Sequence, residues 1–278
     1  MKVEQDSRFQ FIKSDHLPEV TALQAAMDRF TYDKHAHEEY AFGVTLSGRQ
    51  DFFSSGTYHR SPPGNVIQLN PDEVHDGNSG VEEPLSYVML YIHPRQIEPL
   101  FADAAGVKSV TDIRMNETLM ADPVLRAHIV ELVRLIASHV GSRIDQEHLL
   151  YKMAARVVQR CGRFEADDVV RRADMLLRQA KEFIHENVDA DLSLDDLSEA
   201  ANLSKFHFLR LFRRQYGITP HQYVINCRIN AARSALDSGM SLNDVVYRYG
   251  FSDLSHFNRR FKRIYGMTPK QYRDNVVG

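Results

Sequence analysis

Two sets of side chains in this sequence have types and spacings that can do chemistry. The first is His35-Ala36-His37, with His75 further along. Histidines at i and i+2 lie on the same side of a strand, where imidazole nitrogens can ligate a metal or hydrogen-bond a small molecule. The second set is a pair of basic helical faces near the C-terminus, carrying Arg210 and Arg213 in one and Arg259 and Lys262 in the other. Guanidinium groups on a helix can pair with guanine in a DNA major groove, and apolar neighbours such as Phe206 and Leu209 can meet the thymine methyl. Cys161 and Cys227 have no CxxC spacing, so both read as small buried apolar residues, not as a disulfide or zinc knuckle.

The charge pattern separates the two sets. The chain has 278 residues, 43% apolar and 26% charged, enough for one large core or two modest ones, and disorder is excluded. Its net charge of −3 is an average. Residues 1–168 carry 17 basic and 25 acidic side chains, net −8, and residues 169–278 carry 17 and 12, net +5. Such asymmetry is the footprint of a nucleic-acid module joined to an acidic partner domain. The opening MKVEQDSRFQ lacks a signal core, and no stretch approaches the roughly 18 apolar residues of a membrane span. The expectation is a cytoplasmic chain with no membrane association.

The basic faces belong to a repeat. The segment from Leu194 aligns with that from Leu242, pairing Phe212 with Phe261, Gly217 with Gly266, Pro220 with Pro269 and Tyr223 with Tyr272. Each copy reads as two helices and a tight turn, the second helix capped by Ser204 in one copy and by Ser252 or Asp253 in the other, and stopped at Gly217 or Gly266. Phe208, Leu211, Phe212 and Tyr216 form one inner stripe, and Phe257, Phe261, Ile264 and Tyr265 the other. That leaves Phe206, Leu209, Arg210 and Arg213 facing out in the first copy, and Ser255, Asn258, Arg259 and Lys262 in the second. A lone charged helix would read as a solvated face; recurrence in a repeated helix-turn-helix argues for a duplex partner. Between the copies, Pro220 to about Asp237 reads as a helix of roughly 27 Å, close to the groove repeat of about 34 Å.

The acidic part reads differently. Short strands are expected between Phe9 and about Ile92: Tyr40 onward into Ser47-Gly48, Gln50 to Phe53, Val66 to Leu69 after a Pro62-Pro63-Gly64 turn, and Leu85 to Ile92, suggesting a small barrel or sandwich. From about Glu117 the period is helical, with Ile129, Leu132, Val133, Ile136 and Val140 as one stripe and Leu149, Leu150, Met153, Val157 and Cys161 as another. Arg163 to Asp168 reads as a polar linker, followed by a helix from Val170 to Asn187.

The last hundred residues resemble the DNA-binding region of the AraC/XylS family of bacterial transcription regulators. The matching residues are Ala232-Arg233 with Leu236, Ser241-Leu242, Gly250-Phe251, Phe257, Arg259-Arg260-Phe261-Lys262, Tyr265-Gly266, Thr268-Pro269 and Tyr272-Arg273. Val245-Val246 and Tyr249 depart from the usual pattern. The resemblance places Phe206, Leu209 and Arg210, then Leu254, Ser255, His256 and Arg259, at base-contacting positions. Lys205, Arg213, Arg214, Arg260, Lys262 and Arg263 are phosphate contacts on the same reading. The N-terminal part resembles the cupin barrel, with Pro62 and Gly64 in place. Counted on that pattern, however, a metal-binding glutamate falls on Ala41 and a third histidine on Ile67. This favours a barrel without bound metal or cofactor, in which His35, His37, Glu39, Tyr40, Arg49, His75 and Tyr87, with Tyr32, line an effector site.

The expected fold is therefore α+β in two domains. Residues 1–162 form a cupin-like β-barrel with a helical pair, for effector binding and dimerisation, and residues 169–278 an all-α double helix-turn-helix. The resemblance implies a non-enzymatic regulator, an activator by family habit. Its partners would be double-stranded promoter DNA, a small-molecule effector, a second copy in a homodimer and, for an activator, RNA polymerase. The alternatives are a metal-dependent cupin enzyme fused to a DNA-binding tail, and a regulator that needs no ligand.

Overall fold

A computed structural model describes residues 7–81, 83–107, 114–161 and 170–276, so the expected linker at 163–168 lies outside the described residues. Ten strands occupy the first part: β1 Arg8–Lys13, β2 Val20–Met27, β3 Thr31–His35, β4 Tyr40–Ser47, β5 Gln50–Ser54, β6 Thr57–Ser61, β7 Val66–Leu69, β8 His75–Ser79, β9 Leu85–Ile92 and β10 Leu119–Met120. They form two antiparallel sheets, ordered β1-β2-β9-β4-β7-β10 and β3-β8-β5-β6. The expected barrel is thus two hydrogen-bonded sheets and not a closed ring.

Strand alternation sends alternate residues to opposite faces, and the six-stranded sheet is apolar on both. Tyr40, Phe42, Val44, Leu90 and Ile92 pack outward in one core. The helices covering that face are α1 (Pro94–Ala105), α2 (Pro123–Ala137) and α3 (Arg143–Cys161). Buried Ile129, Leu132, Val133 and Ile136 come from α2, and Leu150, Met153 and Val157 from α3. Val140 falls past the end of α2 and is 56% exposed, so it leaves the stripe expected for it. The other face of the sheet turns Phe11, Leu23, Ala41, Ile67, Leu69, Tyr87 and Met89 toward the four-stranded sheet.

The helical part comprises α4 (Val170–Glu186), α5 (Leu194–Ala200), α6 (Lys205–Tyr216), α7 (Pro220–Asp237), α8 (Leu242–Arg248), α9 (Leu254–Tyr265) and α10 (Pro269–Val276). Local chemistry sets the ends. Ser204 accepts from the His207 backbone N–H, and Asp253, not Ser252, accepts from that of His256. Helices α6 and α9 stop at Gly217 (φ 70°) and Gly266 (φ 77°), in the left-handed region that costs other residues about 1–2 kcal/mol. Thr219 and Gln222 form a capping box at the start of α7, with Pro220 in its first turn.

Helix α7 serves two cores. Tyr223, Val224 and Cys227 pack with Phe208 and Phe212 of α6 and with Leu177, Ala180 and Ile184 of α4. Ile229, Ala232, Ala235 and Leu236 pack with Phe257, Phe261 and Tyr265 of α9 in a cluster continuous with the inner face of the sheets. Phe11 of β1 meets Tyr265 and Tyr272 edge-on, with ring centroids 5.9 and 5.5 Å away. The second helix-turn-helix is therefore docked on the open side of the β domain.

Candidate nucleic-acid interface and effector site

The sequence places the outer faces of α6 and α9 correctly. Phe208 and Phe212 are buried under α6, while Lys205, Phe206, Leu209, Arg210, Arg213 and Arg214 are exposed. Phe206 is 77% exposed and shares this outer face with the exposed Leu209. On α9, Phe257, Phe261, Ile264 and Tyr265 are buried, whereas Leu254, Ser255, Arg259, Arg260, Lys262 and Arg263 are exposed and His256 is half-buried. His256 also lies against Phe251 and hydrogen-bonds Ser252 through Nδ1 at 3.2 Å, so its ring is oriented from within the turn. Lys205 pairs with Asp195 of α5 at 2.5 Å, a contact that any phosphate must compete with.

In the β domain the structure gathers the three histidines. His35 and His75 face each other across the β3–β8 pair, and His37 lies just beyond β3. Their ring centroids are 4.4, 5.0 and 6.3 Å apart. Each Nδ1–H donates to a nearby backbone carbonyl: His35 to Asp33 at 2.7 Å, His37 to Glu39 at 2.9 Å and His75 to Glu73 at 2.8 Å. These bonds fix the tautomers, leaving each Nε2 as an acceptor. Burial lowers all three, His35 to about 4, so the rings are neutral near pH 7. The Nε2 of His37 is buried and meets no hydrogen-bond partner. No group of three His, Cys, Asp or Glu side chains among the described residues is arranged to hold a metal ion. The trio as it stands is a set of acceptors in an aromatic interior, with Tyr91 edge-on to His37 and the Tyr32 and Tyr87 hydroxyls 2.8 Å apart nearby.

Two expected members of that site lie elsewhere. Tyr40 points to the opposite face of its sheet, where it packs on Phe101 and donates to Glu98 at 3.2 Å. It follows Glu39 in a strand whose next inward residue is Ala41. Arg49 binds Asp51 and the Gly80 carbonyl at the β4–β5 turn, where Gln50 pairs with Ser79. His75 pairs with Ser54 at the other end of that ladder. Glu39 is close to the histidines but faces the helical domain and pairs with Arg233 of α7.

That last contact belongs to a junction that sequence reasoning missed. The Ala36 carbonyl accepts from Asn230 of α7 at 2.9 Å, and Asn230 in turn accepts from the Tyr265 hydroxyl at 2.8 Å. Glu38 pairs with His185 of α4 at 3.2 Å. Asp72 accepts from Lys181 at 2.7 Å and from the Tyr223 hydroxyl at 3.0 Å, while its own backbone N–H donates to the His37 carbonyl at 2.8 Å. Burial alone would raise the Glu39 carboxyl, but Arg233 outweighs it, with help from His37, and holds it at about 2. Asp72 is held low likewise, Lys181 overcoming its burial. The sequence carries a signal for it in α7, where Asn226, Asn230 and Arg233 recur at spacings of four and three, and both asparagines are buried. A groove of about 750 Å³ runs along this junction between Glu38 and Glu39 on one side and α7 with Tyr249 on the other.

Comparison with known proteins finds two matching families. Residues 17–154 match the family described as AraC-like ligand binding domain, and residues 197–275 the one described as Helix-turn-helix domain. The chain is 27% identical over 224 residues to the Uncharacterized HTH-type transcriptional regulator YbfI of Bacillus subtilis, covering 81% of this chain and 80% of that protein. It is 24% identical to a XylDLEGF operon transcriptional activator of Pseudomonas putida, over 77% of this chain and 68% of that one. Among solved structures, ToxT from Vibrio cholerae matches 94% of this chain and 100% of its own with a TM-score of 0.61 at 15% identity. ToxT with a bound unsaturated fatty acid matches with a TM-score of 0.56 at 13% identity, over 100% of this chain and 98% of its own. These two likenesses speak to the fold.

Proposed function

Because the chain belongs to the AraC/XylS family of DNA-binding transcription regulators with an N-terminal ligand-binding domain, we propose that an effector held in the β domain controls how α6 and α9 meet promoter DNA. One observation carries the proposal. The backbone and side chains of residues 36–39 and 72 border the histidine cluster and also hold the helical domain. A ligand that donates a hydrogen bond to the unpartnered Nε2 of His37 and shifts this loop acts on Asn230, Arg233 and Lys181 directly. Such a ligand changes DNA binding only by its differential affinity for the docked and rearranged states.

Arg210 and Arg259 read bases on this account, with Phe206, Leu209, Leu254, Ser255 and His256 beside them. Lys205, Arg213, Arg214, Arg260, Lys262 and Arg263 hold phosphates. His35, His37, His75, Tyr32 and Tyr87 contact the effector, whereas Tyr40 and Arg49 support the scaffold. The chain acts in the cytoplasm as a homodimeric activator that meets RNA polymerase at the promoter. The ligand panel follows from chemistry and likeness: hydroxylated metabolites suit neutral acceptors, and fatty acids are included because ToxT holds one. A thermal-shift screen of the full chain tests the proposal. A true effector raises the melting temperature by mass action and alters retention of operator DNA, and His37→Ala abolishes both responses. A panel that stabilises the protein without changing DNA retention contradicts the coupling.

A further inference from the structure

The two helix-turn-helix units are held on the β domain by different forces. The second shares a continuous apolar cluster with the sheets. The core of the first, under α4, α5 and α6, receives from the β domain only the partly buried Val74 among the described residues. What fastens it is polar: Lys181 and His185 of α4 and Tyr223 of α7 meet Glu38 and Asp72. An imidazole in such a set changes its charge near neutrality, which no apolar contact does.

Hydrogen-bond accounting fixes the charge of His185. Its Nδ1 lies 3.2 Å from a carboxylate oxygen of Glu38, which can only accept. Its Nε2 lies 3.2 Å from the Tyr223 hydroxyl, whose single hydrogen is donated to Asp72 at 3.0 Å. That hydroxyl therefore accepts from the ring. Both nitrogens must carry hydrogen, and an imidazole with two N–H groups is the cation. The neighbouring charges agree with this. From the β domain Glu38 and Asp72 face the ring, with Nε2 3.9 Å from Asp72. On its own helix Lys181 opposes the charge but is itself bound to Asp72. Tyr223 of α7 meets the ring edge-on, and Cys227, Glu39, Arg233 and Arg248 line the same groove. Burial lowers the imidazole, but the Glu38 hydrogen bond and the Asp72 and Glu38 charges outweigh it, leaving it above the ordinary 6.5.

We infer that His185 is a proton-dependent latch between the first helix-turn-helix unit and the β domain. The imidazolium clasps Glu38 and the Tyr223 oxygen together; loss of its proton breaks one of the two bonds and turns a nitrogen lone pair toward an acceptor oxygen. Because the docked value is the higher one, the clasp is complete below pH 6.5 and is lost as the pH rises through the docked value. Glu39 and Arg233 stay charged over that range and keep their hold on α7. Docking of the first unit is thus adjustable by pH, while that of the second is not. Where an effector acts through residues 36–39 and 72, the same proton sets how much of its signal reaches α6. That consequence rests on the regulator reading; the latch itself does not.

The test uses the full chain carrying nitrogen-15 histidine. His185 is identified among the 13 histidines by the signal that His185→Gln removes. Near pH 6 both of its nitrogens should carry hydrogen, and its titration midpoint should lie above that of an ordinary imidazole. Glu38→Gln, at a half-exposed carboxylate, should lower that midpoint. A double-mutant cycle of His185→Gln with Glu38→Gln, read by urea unfolding, should show a coupling of about threefold in the unfolding constant near pH 6 and none near pH 9. The cycle of Glu39→Gln with Arg233→Met should show the same coupling at both. A midpoint at or below the ordinary value, or a His185–Glu38 coupling equal at the two pH values, overturns the inference. If His185→Gln does not fold, the titrations of wild type and Glu38→Gln decide alone, since a latch requires one histidine with a high midpoint that Glu38→Gln lowers. Neither measurement uses DNA or an effector, so failure of the latch is separate from failure of the regulator reading.

Discussion

Replacing Glu39 with glutamine removes a charge from the junction and keeps its shape. The carboxyl is held at about 2 in the folded protein against an ordinary value of 4.5. At about 1.4 kcal/mol per decade, that difference contributes about 3 kcal/mol of stability near neutral pH. Because the folded value is the lower one, the contribution is complete above pH 4.5 and is lost as the pH falls toward 2. A second route gives a similar figure, since leaving one member of a buried pair uncompensated costs about 3–5 kcal/mol. Arg233 has few other resources: its Nε is buried without a hydrogen-bond partner, although its guanidinium lies 5.5 Å from the Tyr265 ring. Glu39→Gln should therefore destabilise the chain by about 3 kcal/mol at pH 7, and its deficit relative to wild type should shrink when both are measured near pH 3. The double replacement E39L/R233M should recover most of the loss. Urea unfolding suits the measurement, followed by circular dichroism or by tyrosine fluorescence, since the chain has 12 tyrosines and no tryptophan. A loss below about 0.5 kcal/mol, or single-variant effects that add within that margin, would refute the reasoning that this pair fastens one domain to the other.

Other expectations concern single positions. Arg210→Ala and Arg259→Ala should each weaken operator binding by about 1–3 kcal/mol and relax base preference at one site only, as read by binding to single-base operator variants. Lys262→Ala should weaken binding to all sequences alike and lower the slope of log affinity against log salt by about one, measured by fluorescence anisotropy. At Gly217 an added Cβ meets open space, whereas at Gly266 it would lie 2.7 Å from the Phe9 ring. Gly266→Ala should accordingly lose clearly more stability than Gly217→Ala, with part of the excess restored by Phe9→Ala; equal losses in thermal melts would remove Phe9 from the domain contact.

The helical half was legible because its signals are local. Ser204, Gly217, Thr219 and Pro220 act within a few residues of themselves, and the stripes of α6 and α9 follow from a period of 3.6. The β half was legible only in part. The strand runs were visible, yet pairing is non-local, and nothing in the sequence showed that His35 would lie opposite His75 or that the sheets would remain separate. Tyr40 was misplaced because its sheet is apolar on both faces, which removes the polar–apolar alternation that marks inward and outward positions. Arg49 was misplaced because a charge beside a turn has no periodicity to orient it. Val140 continued a helical stripe in sequence, but the helix ends before it. The junction of Glu39, Asp72, Lys181, Asn230 and Arg233 joins residues more than a hundred positions apart, and only the packed structure brings them together.

The central claim is that α6 and α9, held by α7, read one face of a duplex as a unit. Hydroxyl-radical footprinting of the full chain on its selected operator measures this directly. The account predicts two protected patches on the same face, about 10 base pairs apart, with Arg210→Ala erasing contacts in one patch and Arg259→Ala in the other. A single patch, or two patches that both substitutions leave intact, would contradict it.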